Sequence, residues 1–423
     1  MKEPLSIKFL FILYRFLWFC ATPFLIRSSR LQEGADERIL KRINFSKVDI
    51  WMHAASVGEA YIARQLLKSF DEEQKLKILI TTNTSQGREI LEKDRTTDHN
   101  HSVTIAYMVF DNPALVKKAV RIADPSLLVL IELEIWPALM AEIKRQNKRM
   151  IIVNGRMTEK SYKGYKKASF LWPMLTPDRI LANSEENRSR LQDLFQQKDS
   201  YFVSNIKFDQ IEACTIPEQP ITQNKTLILA SIRKEEENEV FFLITEILKR
   251  FPDLRIDLFP RHLHRVNHWK TLLDDKGISC ALKSSSSEET ASTVMIWDIF
   301  GELVNSYQRA DAAFVGGSLA PLGGQNFIEA FMNGVIPVTG PSISNFLWTG
   351  NEVFESGLAR KGQNKEEVLQ LLEEILNNPE DRSIIQQKAD KYIQLRQGGS
   401  RKTCLHIVDL LQPLETNECH VKD

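Results

Sequence analysis

The chain has 423 residues, 43% apolar and 26% charged, which suits two or three folded domains and excludes a disordered chain or a polytopic membrane protein. Its 55 Lys and Arg balance its 55 Asp and Glu, which argues against a dedicated nucleic-acid binder. The five cysteines (Cys20, Cys214, Cys280, Cys404 and Cys419) are far apart and never spaced as C-x-x-C, so neither a disulfide framework nor a structural zinc site is expected, and a reducing compartment fits best.

Residues 5–26 read LSIKFLFILYRFLWFCATPFLI, rich in aromatics and interrupted only by Lys8 and Arg15. A spanning helix needs about 20 mostly apolar residues, which this stretch only just reaches, and no small-residue cleavage site follows. Lys8 and Arg15 are seven residues apart and share a helix face. That favours a helix lying in the membrane interface with both cations reaching the headgroups. Phe9, Phe11, Tyr14, Phe16, Trp18 and Phe19 suit that depth. The plainer alternative is a core helix of the first domain. If the segment did span, Arg27, Arg30, Arg38, Lys41 and Arg42 behind it would hold the large C-terminal part in the cytoplasm.

From Val48 onward short apolar runs alternate with amphipathic stretches. VDIWMHAAS precedes GEAYIARQLLKSF, KLKILITTNT precedes SQGREILEK, and SLLVLIELEIW precedes PALMAEIKRQN and RMIIVNGR. This rhythm predicts parallel sheets with helices on both faces. It breaks at the polar stretch DQIEACTIPEQPITQNK and resumes with TLILASIR, EEENEVFFLITEILKRF, LRIDLFPRHLHR, GISCALK and TVMIWDIFGELVNSYQRA. LKSSSSEETAS reads as a polar loop, and the tail from about Lys365 as helical. The expected division is a membrane-associating segment over 1–30, a Rossmann-like domain over 31–208, a linker over 209–225 and a second Rossmann-like domain over 226–423, whose last helix can pack back on the first. Two doubly wound domains facing a cleft would bind ligands in the loops after their strands.

Four such loops hold the candidate chemistry. In HAASVGEA, Ser56 can cap a helix and Glu59 projects from its first turn, either to complement the helix dipole or to take a proton from a hydroxyl nucleophile. In IELEIWP, Glu132 and Glu134 share one side of a strand end, with Arg156 a candidate cation partner. A helix N-terminal cluster with Pro137 at its first position is the alternative there. In FPRHLHR, Pro260 ends a strand and Arg261 stands at its mouth, suited to phosphate or carboxylate. His262, His264 and His268 lack a third-ligand pattern, so no metal site is expected. The block VGGSLAPLGGQNFIEAFMNGVIPVTGP pairs glycines with Asn326 and Glu329 on one helix face, where a carboxylate can accept ribose hydroxyls while backbone N–H groups meet phosphate. Gly301 lies at a similar junction upstream, and G-x-G-x-x-G is absent.

HAASVGE, ELEIWP, NGRM-x-x-x-S-x-x-GY, NIKFD, PRH-x-x-R, GEL and VGGSLAPLGGQN-x-x-E occur together and in this order. As a set, from about Trp51 to the C-terminus, they resemble the 3-deoxy-D-manno-oct-2-ulosonic acid (Kdo) transferases of lipopolysaccharide synthesis. The resemblance implies a GT-B fold, with an acceptor domain first and a CMP-sugar domain second. It implies inverting transfer of Kdo from CMP-Kdo to a lipid A precursor, without metal or cofactor, on the cytoplasmic face of the inner membrane. Glu59 matches the family's general base. Pro260 and Arg261, the segment Gly301, Glu302 and Leu303, and the segment Asn326, Phe327, Ile328 and Glu329 match its CMP site. Glu132 matches the first carboxylate of E-x-E-x-W-P, with a role less settled. The implied partners are the CMP-Kdo donor, the lipid A precursor and membrane lipids, with no nucleic acid. The chain departs from the family pattern at Gln325 (usually His), Ala138 (usually Asn) and Ala230-Ser231-Ile232. A nucleotide-sugar epimerase of the same architecture and a non-catalytic sugar- or lipid-binding paralogue are the alternatives.

Overall fold

The computed structural model describes residues 5–71, 73–93, 101–212, 225–285 and 293–412, with no side chains described for 5–8, 29 and 30. Most of the expected linker at 209–225 and of the polar loop at 282–292 lies outside the described residues. The chain divides into two compact units, one of residues 1–211 and 396–423 and the other of residues 212–395.

The first unit contains strands β1 (Ile50–His53), β2 (Lys77–Thr82), β3 (Ser102–Tyr107), β4 (Leu127–Ile131), β5 (Arg149–Gly155), β6 (Arg179–Ala182) and β7 (Ser200–Phe202). They form one parallel sheet in the order β3-β2-β1-β4-β5-β6-β7. Successive residues point to opposite faces, and both faces are covered. Trp51, Leu79, Leu128, Leu130 and Ile152 enter one buried cluster, while Ile50, Met52, Ile78, Ile80, Val129 and Ile151 enter the other. Each such side chain contributes about 1.5–3 kcal/mol by leaving water. The strand order reverses between β1 and β4, so the loops after these two strands flank the switch point where open α/β sheets bind ligands.

The second unit repeats the plan with β8 (Thr226–Ile232), β9 (Arg255–Pro260), β10 (Cys280–Leu282), β11 (Val294–Ile296), β12 (Ala312–Val315), β13 (Pro337–Thr339) and β14 (Arg360–Lys361). The order is β10-β11-β9-β8-β12-β13-β14, again all parallel, with the switch between β8 and β12.

The helix Gly399–Leu411, which follows the second unit in sequence and was expected to be able to pack back on the first, belongs to the first unit. Its Cys404 and Ile407 join the core that Leu66 and Leu67 of the helix Val57–Ser69 also enter. Gly399 passes so close to Ser204 that a Cβ would lie 2.1 Å from the Ser204 carbonyl oxygen. Gly398, at φ +92°, supplies no side-chain cap. Asp209 supplies it instead, accepting the Gly398 N–H, the Ser400 N–H and the Ser400 hydroxyl, each at 2.6 Å.

The N-terminal helix Leu5–Leu25 also packs in the first unit, by one face only. Trp18 stacks on Phe110 at 5.6 Å, whereas Phe9, Ile12, Leu13, Phe16, Leu17, Phe19 and Phe24 are all exposed. Among the described residues no helix is long and apolar enough to cross a membrane.

Removing the Asp209 cap should leave buried donors unpaired. Asp209→Ala is expected to destabilise the first unit by roughly 1–3 kcal/mol. The check is a thermal melt, read beside amide exchange over residues 398–402.

Candidate active site

The loops after β1 and β4 bring an acid cluster together. β1 ends at His53, and the chain turns through Ala55 and Ser56 into the helix Val57–Ser69. Ser56 caps that helix, its Oγ accepting the Glu59 N–H at 3.4 Å. The Glu59 carboxylate folds back on the same turn: Oε2 accepts the Ala55 N–H at 2.6 Å and Oε1 accepts the Ser56 hydroxyl at 2.7 Å. Glu59 is 6% exposed. Burial pushes its carboxyl above the usual range, the Ser56 and Ala55 hydrogen bonds pull it down, and the charge of Glu132 pushes it up. Each oxygen accepts one of these hydrogen bonds, and a carboxylate oxygen has capacity for a second. Glu59 thus ties down the turn before its own helix and is an acceptor that can still take a proton.

Glu132 and Glu134 follow β4. Glu132 stands at φ +58°, a left-handed backbone that costs a side-chain-bearing residue of order 1 kcal/mol or more and that concentrates at functional sites. Its Oε1 accepts the Lys207 ammonium at 2.8 Å. Lys207, not Arg156, is therefore the cation partner of Glu132, and Arg156 forms no ion pair with a described residue. Sequence neighbourhood favoured Arg156, just past β5. Lys207 comes from the turn Ile206–Gln210, 75 residues beyond Glu132, which runs back from the edge strand β7 and is held by the Ile206 N–H donating to the Asn154 amide oxygen of β5 at 3.1 Å.

Glu134 accepts the Trp136 indole N–H at 2.9 Å. Burial, then the charges of Glu59 and Glu132, push its carboxyl up to about 7, against the indole hydrogen bond. His53 brings Nε2 within 3.9 Å of Glu134, but full burial drives its ring down to about 3, so it is neutral and makes no ion pair. Its Nδ1 meets the Thr81 hydroxyl oxygen at 3.0 Å, an oxygen that also accepts the Trp51 indole N–H at 2.9 Å. Glu134, Lys207 and His53 were visible in the motifs yet carried no separate role in the sequence reading. For His53 and Glu134 the signal was position at strand ends next to the switch point, whereas Lys207, beyond the edge strand β7, gave no such signal.

In the second unit the donor candidates also converge. Pro260 is the buried last residue of β9, and the Arg261 N–H donates to the Ile232 carbonyl at 2.8 Å, leaving an exposed guanidinium at the strand mouth. Glu329 accepts the Asn326 amide at 2.8 Å. Burial raises its carboxyl, while Asn326 and the nearby charge of Arg261 lower it. Gly301, at φ +93° with open space where a Cβ would stand, precedes Glu302 and the short helix Leu303–Tyr307. The phenol of Tyr307 is held up by burial and by the charge of Glu329, which ties this segment to N-x-x-E. Phe327 and Ile328 are core residues: the Phe327 ring is fully buried among Phe331, Phe346 and Phe354. A ligand can reach those two only through backbone.

The first glycine pair does not wait for a phosphate. Glu236, fully buried, accepts the N–H groups of Arg233 at 3.0 Å, of Ser318 and Leu319 at 3.2 Å, and of Gly317. A Cβ on Gly316 would lie 2.6 Å from the Glu236 carboxylate, which is why glycine stands there. This carboxylate, the second of the EEEN run, was missed because a glutamate before an amphipathic helix reads as a surface residue.

A raised carboxyl binds its proton more tightly in the folded than in the unfolded chain. For Glu134 that stability is present below the unfolded carboxyl range and is lost as pH rises through about 7. Glu134→Gln should therefore raise the melting temperature by about 5 °C near pH 8 and leave it unchanged near pH 5, as read by calorimetry at both pH values.

The chain is similar to known proteins. Residues 29–210 match the family model described as 3-Deoxy-D-manno-octulosonic-acid transferase (kdotransferase). A 3-deoxy-D-manno-octulosonic acid transferase of Rickettsia bellii is 29% identical over 91% of this chain and 96% of its own length. A bifunctional glycosyltransferase/methyltransferase of Fusobacterium nucleatum is 28% identical over 78% of this chain, which spans only about half (52%) of that relative. Among solved structures, a glycosyltransferase of Rickettsia africae shares the fold, with a TM-score of 0.57 and 13% identity over 87% of this chain and 99% of that one. Residues 29–210 thus match the 3-deoxy-D-manno-octulosonic-acid transferase (kdotransferase) domain, and the chain as a whole is similar to transferases of that name.

Proposed function

We propose that this glycosyltransferase moves Kdo from CMP-Kdo to a lipid A precursor, with inversion and without a metal. The observation that carries the reading is Glu59, a buried carboxylate at the β1–β4 switch point with capacity for a second hydrogen bond on each oxygen, beside the Glu132–Lys207 pair. An acceptor glucosamine hydroxyl would attack the anomeric carbon of Kdo as its proton passes to Glu59. The new carbon–oxygen bond forms while the bond from that carbon to the CMP phosphate oxygen breaks. The bonding pair leaves with CMP, through a transition state of oxocarbenium character. A phosphate monoester departs without protonation, so no general acid is required. Lys207 offsets the charge that a third carboxylate would add around the base.

In the second unit Arg261 would balance the CMP phosphate and Glu329 would hold the ribose hydroxyls. Pro260, the Gly301–Leu303 segment and the backbone of Asn326 to Ile328 would shape the rest of that site. Glu302 stands at the N-cap of the helix Leu303–Tyr307. The exposed apolar face of the helix Leu5–Leu25, with Arg15 and Arg27 exposed beside it, supports docking on a membrane surface. That is where a lipid acceptor resides, and the inner membrane's cytoplasmic side is the proposed location. An epimerase acting on a soluble nucleotide sugar would need no such face.

Glu59→Gln keeps both capping contacts possible but cannot accept the proton. It is expected to retain CMP binding and the wild-type melting temperature while losing roughly 100-fold or more of turnover. In the wild type, turnover should fall on the acid side with a limb above the usual carboxylate range, because burial raises Glu59. CMP release with the lipid acceptor, followed across pH, checks both. Near wild-type turnover in the variant would remove Glu59 as the base.

A further inference from the structure

One buried carboxylate joins the N-terminal helix to the loop that carries Glu132 and Glu134. Asp111 lies between β3 and the helix Pro113–Ala123 and is fully buried. Its Oδ1 accepts the Leu139 N–H at 3.0 Å, and its Oδ2 accepts the Ala138 N–H at 2.9 Å. Those amides open the helix Pro137–Arg145, whose N-cap residue Trp136 provides no side-chain cap. Pro137 has no N–H to offer, so Asp111 supplies from another loop the cap that the local sequence lacks. The residues just before that helix start are Glu132, Glu134 and Trp136, with the backbone at Glu132 already left-handed. Fixed at one end by β4 and at the other by the capped helix start, this short run has little freedom to place its carboxylates elsewhere.

The third hydrogen bond to Asp111 comes from the N-terminal helix. The Tyr14 hydroxyl donates to Oδ2 at 2.9 Å. One turn on, Trp18 stacks on Phe110, the residue preceding Asp111. Tyr14 and Trp18 are four residues apart, so one helix face grips both positions while the opposite face leaves its apolar side chains exposed.

We propose that Asp111 and Tyr14 are positioning residues for the acid cluster: the seating of the N-terminal helix on Asp111 sets the start of the helix Pro137–Arg145 and with it the placement of Glu132 and Glu134. The helix is then more than an anchor, because its docked face is part of the support of the site. The activity half of this inference rests on the transferase reading above; the structural half does not.

The test uses the full chain in mixed micelles, with Tyr14→Phe and Asp111→Asn. Tyr14→Phe removes a single hydroxyl and keeps the ring, so it remains informative if the Asp111 variant fails to fold. Expected for Tyr14→Phe are a kcat about three- to tenfold lower with CMP-Kdo and lipid A precursor, an unchanged KM for CMP-Kdo, and faster amide exchange confined to residues 136–139. Asp111→Asn should move each readout further. A general loss of structure would instead speed exchange across the first unit and lower the active fraction, and that pattern overturns the proposal. So does a wild-type kcat in an active preparation. If the wild type transfers nothing, the transferase reading fails, and local against uniform exchange still decides whether Tyr14 supports this loop.

Discussion

A parallel sheet covered on both faces can expose polar groups only at its strand ends, and both units of this chain are built under that constraint. Helix starts and tight turns bring unpaired N–H groups, and here buried or half-buried carboxylates meet them. Glu59 takes the Ala55 N–H, Asp111 the first amides of the helix Pro137–Arg145, Asp209 those of the helix Gly399–Leu411, and Glu236 the glycine-rich turn after β12. Each carboxylate exchanges hydration for fixed N–H donors. That exchange is tolerable only where several donors converge.

The acid cluster shows what the same arrangement can do when the donors are too few. Glu59, Glu132 and Glu134 share one neighbourhood with Lys207 as the ion-pair partner of Glu132. Burial and mutual repulsion leave Glu134 near 7, so the cluster holds less negative charge at neutral pH than its composition suggests. Glu59 stays anchored by two donors and faces the charge of Glu132, conditions that keep a carboxylate basic without leaving it permanently protonated. Asp111, itself pushed up to about 6 by burial, holds the end of the loop that carries the other two carboxylates. Local stability and the site's chemistry therefore draw on the same hydrogen bonds.

Much of this was legible in the sequence, for physical reasons that differ by element. The central strands β1, β2, β4, β8, β9 and β12 are near-continuous apolar runs, as strands buried on both faces must be, and they were read directly. β3 is polar at its start, β6 spans four residues and β7 three, with two of the latter exposed, so none stood out as an apolar run. Ser56 as a cap followed from residue type alone. Lys207 could not be matched to Glu132, nor Asp111 to Ala138, because those pairings are set by the return of a turn from the edge strand and by tertiary capping rather than by spacing. The glycine pairs pointed to a ligand loop, with backbone N–H groups near Asn326 and Glu329 to meet phosphate, and the spacing does not show what fills the space at 316–317. Glu236 fills it, which only the packed turn reveals.

The central claim is that the acid cluster serves transfer from a CMP-linked sugar acid to a lipid. It is tested most directly by incubating membrane-reconstituted protein with CMP-Kdo and a tetra-acylated lipid A precursor, reading CMP release and product mass together. The account predicts CMP release matched by a lipid mass gain of one or more Kdo units. No release from folded protein, or release of CMP with no gain in lipid mass, would contradict it.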